Sequence, residues 1–172
     1  MRVNIFPPCV SSNFRQCTDL LCGLAAICLF HTAWNAPFTL GVRSFANAIM
    51  AGNAVVFKTS EFSPKIHTFA AQLFADAGLP EGVLNTIHVA PEDAPQVIAN
   101  IIAHPALRKI NFTGSTVTGC KIAEVAARYA KPAVMELGGK APLLVMRDAN
   151  LKAAANAAVF GGLSHSGQIC MS

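Results

Sequence analysis

Residues 54–89 read AVVFKTSEFSPKIHTFAAQLFADAGLPEGVLNTIHV, and they hold one complete strand–helix–strand unit. Ala54 to Lys58 is a short apolar run with a β-branched centre, the composition of a buried strand. Ser63 and Pro64 fit the N-cap and first position of a helix. Ile66, Phe69, Ala70, Leu73, Phe74 and Ala77 then recur as one helical stripe, which Gly78 and Pro80 close. Val83 to Val89 predicts a second strand.

The alternation continues on both sides. Upstream, Phe38 to Ala51 places Leu40, Val42, Phe45, Ala46 and Ile49 near one helical face, and Gly52 ends the element. Downstream, Asp93 caps a helix carrying Val97, Ile98, Ile101 and Ile102, and Lys109 to Phe112 is a third strand. Thr113-Gly114-Ser115 turns into a helix that runs to about Ala130. Ala133 to Leu137 and Leu143 to Val145 read as further strands, and Leu151 to Leu163 as another helix. Strands alternating with helices predict an α/β fold, a Rossmann-like parallel sheet with helices on both faces. Such sheets bind ligands at the carboxyl ends of their strands.

Composition narrows the classes. The 172 residues are 53% hydrophobic and 13% charged, about half the usual charged fraction. That apolarity suits a membrane protein or the interior of something larger. The longest apolar run, Leu20 to Phe30, is far shorter than the roughly 18 residues a membrane span needs. It suits a signal-peptide core instead, with Arg2 and Arg15 upstream and Ala33 and Ala36 downstream. The net charge of +4 is scattered without a basic stripe, so no nucleic-acid partner is expected. Cys9, Cys17, Cys22, Cys28, Cys120 and Cys170 form no C-x-x-C and have no histidine pair at zinc spacing. No metal site, no membrane anchor and a reducing, cytoplasmic setting are expected.

Four constellations carry chemistry, and each has a bland counterpart. At Phe112-Thr113-Gly114-Ser115-Thr116, a glycine before a helix N-terminus admits a phosphate. An ordinary β–α turn has the same pattern. Neither G-x-G-x-x-G nor a P-loop is present. Lys58-Thr59-Ser60-Glu61 ends a strand, where Lys58 can donate to a ribose hydroxyl and Glu61 can accept from one; a solvated charged turn is the alternative. Glu136 ends an apolar run before Gly138 and Gly139, and apolar surroundings suit a general base; a surface loop is the alternative. Gly167-Gln168-Ile169-Cys170 puts a cysteine after a glycine turn, as a nucleophile or as a small buried apolar residue.

In order, Trp34-Asn35-Ala36-Pro37, Ala51-Gly52-Asn53 with Lys58 and Glu61, Phe112 to Thr116, Glu136-Leu137-Gly138-Gly139-Lys140 and Gly167 to Cys170 resemble the successive signatures of the aldehyde dehydrogenase superfamily. The wording around Asn35 and Cys170 is most similar to members acting on aromatic aldehydes. The resemblance implies Cys170 as nucleophile, Glu136 as general base and Asn35 as an oxyanion donor with the Cys170 backbone N–H. It implies Trp34, Lys58, Glu61, Gly114, Ser115 and Leu137 as cofactor-binding residues. NAD, with NADP as the alternative, is the implied cofactor, an aldehyde the implied substrate, and a homo-oligomer the implied state of full-length relatives. Cys170, Glu136 and Asn35 are therefore expected to converge on one cleft.

Departures from the pattern shape the expected organisation. Ala33 stands where the family usually has Pro. Residues 1–32 are expected to be irregular, 33–137 to form the dinucleotide-binding domain, and 138–172 to start a truncated catalytic domain. The family's Glu-x-Phe-Gly-Pro segment and its oligomerisation strand do not follow Cys170. The leading expectation is thus an oxidoreductase by descent. Its rival is a catalytically inactive nucleotide-binding fragment built from the same residues, and in either case the chain by itself is expected to show little or no turnover.

Overall fold

The computed structural model describes residues 27–171. Its five strands are β1 (Ile27–His31), β2 (Ala54–Lys58), β3 (Leu84–Ile87), β4 (Leu107–Gly114) and β5 (Ala133–Leu137). They form one sheet in the order β3-β2-β1-β4-β5, with every neighbouring pair parallel. The helices are α1 (Pro37–Met50), α2 (Pro64–Asp76), α3 (Ala94–Ala103), α4 (Thr116–Arg128) and α5 (Leu151–Leu163), followed by a tight turn at Ser164–Gly167.

Two apolar layers hold the first four helices to the sheet. On one face Phe45 and Ile49 of α1 pack with Cys28, Phe30, Val55, Phe57 and Val83, with Phe74 of α2 against them. On the other, Ile98 and Ile102 of α3 and Ile122 and Ala126 of α4 cover Leu29, Val56, Ile110 and Phe112. Helices therefore cover both faces of a parallel sheet, as the alternation of elements requires. The chain winds outward from β1 to β3, then returns to β4 beside β1. That reversal opens a crevice at the carboxyl ends of β1 and β4.

Four local expectations need correction. Residues 27–31, placed in an irregular segment, form the central strand β1. A central parallel strand is covered on both faces, so ICLFH is a continuous apolar run that merges with the apolar residues before it. This places part of the supposed signal core inside the sheet; the rest of that run, and Cys9, Cys17 and Cys22, lie outside the described residues. Leu143 to Val145 form no strand and stay exposed, with no neighbouring strand to pair them. The α2 stripe is not one face: His67 and Ala70 are buried while Ile66, Phe69 and Leu73 remain exposed. Ser63 precedes α2, and Asp93 precedes α3, without a side-chain capping bond. α5 forms where expected but buries none of its residues.

Candidate active site

The carboxyl ends of the strands line up by register. His31 stands opposite Lys58 of β2 and Phe112 of β4. Thr113 stands opposite Glu136, and Gly114 opposite Leu137 of β5. Above this edge lies a cavity of about 430 Å³. Trp34, Asn35, Glu61, Gly114, Ser115, Glu136, Leu137 and Cys170 all line it, whereas Lys58 sits behind the wall. The three catalytic candidates, far apart in sequence, share this one cleft.

Three loops bring them there. After β1 the chain presents Trp34 and Asn35. Asn35 Nδ2 donates to the Gln168 carbonyl oxygen at 2.7 Å, tying this loop to the turn that carries Cys170. That turn is unusual: His165, Ser166 and Gly167 all have positive φ, at 52°, 55° and 72°. A left-handed conformation at two non-glycine residues is strained. The Trp34 ring lies 6.4 Å from the His165 ring. The third loop follows β5, where a Cβ on Gly139 would lie 3.8 Å from the Cys170 carbonyl oxygen. Cys170 is half-buried. Glu136 is exposed, so the apolar surroundings expected for it are not there.

The other end of the cleft is built on charge. Lys58 is 2% exposed, and its Nζ donates to Glu61 Oε2 at 3.0 Å and lies 3.3 Å from His31 Nε2. Partial burial pushes the Glu61 carboxyl up, but its own backbone N–H and the Lys58 ammonium outweigh this and hold it below the ordinary range. Burial, reinforced by the Lys58 ammonium, pushes His31 down to about 4, so His31 is neutral at pH 7. The loop after β2 is anchored from behind: His67 Nδ1 accepts from the Ser60 backbone N–H at 3.1 Å, and Thr59 Oγ1 lies 2.9 Å from His88 Nδ1.

Ser115 is the N-cap of α4, accepting from the Thr118 backbone N–H at 3.3 Å and donating to Thr118 Oγ1 at 2.9 Å. The α4 N-terminus thus opens on the cleft with the dipole orientation that favours an anion. Gly114 leaves room for the Phe112 ring: a Cβ there would lie 2.6 Å from Phe112 Cζ. A nucleotide cofactor fits these residues, since Thr32, 1% exposed, lines the cleft with a buried hydroxyl that has no partner, as has Asn35 Oδ1. Sequence reasoning missed His31, Thr32 and His67, because none belongs to a recognisable motif. Among the described residues no cluster of His, Cys, Asp and Glu could hold a metal ion, and no helix is long and apolar enough to cross a membrane.

The chain is similar to known proteins in sequence and in fold. A vanillin dehydrogenase of Pseudomonas sp. (strain HR199 / DSM 7063) is 50% identical over 169 residues, 98% of this chain and 34% of the relative. The crystal structure of a salicylaldehyde dehydrogenase from Pseudomonas putida G7, complexed with salicylaldehyde, superposes with a TM-score of 0.84 at 45% identity, covering 87% of this chain and 31% of that one. An NAD-dependent aldehyde dehydrogenase from Sinorhizobium meliloti superposes with a TM-score of 0.80 at 38% identity, covering 87% and 29%. The chain thus spans about a third of the length of the relatives it matches. Residues 25–172 match the aldehyde dehydrogenase family, an oxidoreductase family, and the chain belongs to it.

Proposed function

We propose that this chain carries the cofactor-binding part and the nucleophile of an enzyme that oxidises an aromatic aldehyde to its carboxylic acid with NAD or NADP. The observation that supports this best is the shared cleft of Asn35, Glu136 and Cys170 at the strand carboxyl ends. The Cys170 thiolate attacks the aldehyde carbon, and the carbonyl electron pair moves to oxygen. Asn35 Nδ2 has two N–H groups, one of which is engaged by Gln168; the other, with the Cys170 backbone N–H, steadies that oxyanion. The bound cofactor supplies the acceptor for the hydride that leaves the tetrahedral carbon, and a thioester on Cys170 remains. Glu136, exposed to water at the cleft, takes a proton from water as it attacks the thioester. The acid departs and the Cys170 thiolate is restored.

Lys58, Glu61, Trp34, Leu137, Gly114 and Ser115 hold the cofactor in this reading. Glu61 grips the adenosine ribose with the Lys58 ammonium behind it, and Ser115, at the helix N-terminus, the pyrophosphate. Among the described residues Cys28, Cys120 and Cys170 are free thiols; the setting proposed for the chain is cytoplasmic. A second reading, nucleotide binding without turnover, is favoured by the uncovered faces of α5 and of residues 143–146. Isothermal titration with NAD, alongside NADH formation with vanillin, separates the two. Binding with NADH formation lost in Cys170→Ala supports oxidation. Binding with no NADH supports the second reading, and no binding overturns both.

A further inference from the structure

We propose that His31 is a positioning residue for cofactor recognition: by accepting a hydrogen bond from Lys58 Nζ, it holds the Lys58 ammonium, and through it the Glu61 carboxylate, where a nucleotide ribose is gripped. This rests on the reading of the cleft as the cofactor site. His31 ends the central strand, at the point where the winding of the sheet reverses. Its register partners are Lys58 on one side and Phe112 on the other. The Phe112 ring meets the imidazole edge-on at 4.9 Å, which limits its rotation. Nε2 then lies 3.3 Å from Lys58 Nζ, and Nζ lies 3.0 Å from Glu61 Oε2. An ammonium has three N–H donors and no acceptor, so His31 must present a lone pair at Nε2 and carry its proton at Nδ1. Two of the three Lys58 donors are thereby fixed, and with them the Glu61 carboxylate, which lines the cleft.

The energetics argue against a merely structural histidine. His31 Nδ1 is buried without a partner, and an unpaired buried donor is unfavourable. An aliphatic residue would fill the same strand position without that cost. The imidazole is compatible with Lys58 only because it is neutral. The charged and titratable groups around it are Lys58 on β2, Glu61 on the following loop and His67 on α2, and Phe112 on β4 is uncharged. With burial first and the Lys58 ammonium second disfavouring protonation, the His31–Lys58–Glu61 chain persists across neutral pH.

Two measurements test this. Nitrogen-15 NMR of the histidines at pH 7 should show His31 protonated at Nδ1 and bare at Nε2; the reverse tautomer overturns the proposal. Isothermal titration with NAD should show His31→Leu binding about tenfold more weakly than wild type, the loss of one hydrogen bond to a charged group. His31→Gln, whose carbonyl reaches the Nε2 position, should restore most of that affinity. Unchanged affinity in His31→Leu overturns the positioning role. Failure of the wild-type chain to bind NAD, whatever its tautomer, overturns the cofactor reading and this inference with it. The reverse tautomer with intact NAD binding overturns only the inference.

Discussion

Asn35 donates through Nδ2 to the carbonyl oxygen of Gln168 at 2.7 Å, so the residue assigned to the oxyanion also fastens the turn that carries the nucleophile. Removing it acts twice. Asn35→Ala should lower kcat about 10²–10³-fold, the usual effect of deleting one oxyanion donor. It should also loosen residues 164–170, where positive φ at His165 and Ser166 already strains the backbone. Alkylation of Cys170 by iodoacetamide should therefore become faster in Asn35→Ala. A slower or unchanged rate would show that the Gln168 contact does not restrain the turn.

Stability should fall with acid in a window set by His31. The unfolded imidazole takes up its proton near pH 6.5, the folded one only near pH 4. Above 6.5 neither state is protonated and there is no effect. As pH falls from 6.5 towards 4 the unfolded state gains a proton that the folded state refuses, and about 3 kcal/mol of stability is lost. His67, whose pKa is also lowered, acts in the same direction, as does Glu61, whose stabilisation goes as its carboxylate is protonated. Urea titrations at pH 7 and pH 4.5 should show a smaller difference in His31→Leu than in wild type. An identical difference would remove His31 as a source.

Gly119 permits α4 to lie close to β5. A Cβ there would sit inside the van der Waals shell of Leu137 Cδ2 and 3.3 Å from Phe112 Cε1. Leu137 lines the cleft, and its side chain can yield where backbone cannot. Gly119→Ala should therefore leave the thermal midpoint nearly unchanged, since alanine favours the helix by about 1 kcal/mol. It should weaken NAD binding several-fold by pushing Leu137 into the cleft. Equal NAD affinity would show that Leu137 does not border the bound cofactor.

Glu61 should set a moderate preference for NAD over NADP. Its carboxylate is kept ionised by Lys58 and faces the ribose in the proposed arrangement. A 2′-phosphate there meets a like charge, while Lys58 partly welcomes it, so a preference of about tenfold in kcat/KM is expected. Glu61→Gln should narrow it. A preference for NADP in the unaltered protein would show that Glu61 points elsewhere.

The elements with a clear period or clear ends are legible in the sequence. AVVFK, the stripe from Ile98 to Ile102 and the Gly114-Ser115 turn all formed as their patterns demand. β1 was not legible, because its apolar run continued into the residues before it, whereas AVVFK stands clear between Asn53 and Thr59. With β1 hidden, so was His31, whose chemistry exists only through its register with Lys58. The α2 stripe misled for a related reason: periodicity marks an apolar face but not which side of it meets the sheet. Leu143 to Val145 were apolar enough for a strand, yet a strand needs a neighbour. The motifs around Asn35, Glu136 and Cys170 were readable as a set, but their separate environments were not, and Glu136 proved exposed.

The central claim is that Cys170 is acylated in a reaction that needs the cofactor. It is tested most directly in a single turnover: the protein, joined to the C-terminal part that its longer relatives carry, is mixed with vanillin and NAD, quenched in acid, and its mass and proteolytic peptides are measured. The account predicts an added acyl group on the Cys170 peptide, about one NADH for each acyl group, and neither product without NAD or in Cys170→Ala. An unmodified Cys170 in protein that has bound NAD, or an acyl group carried by Cys120 instead, would contradict it.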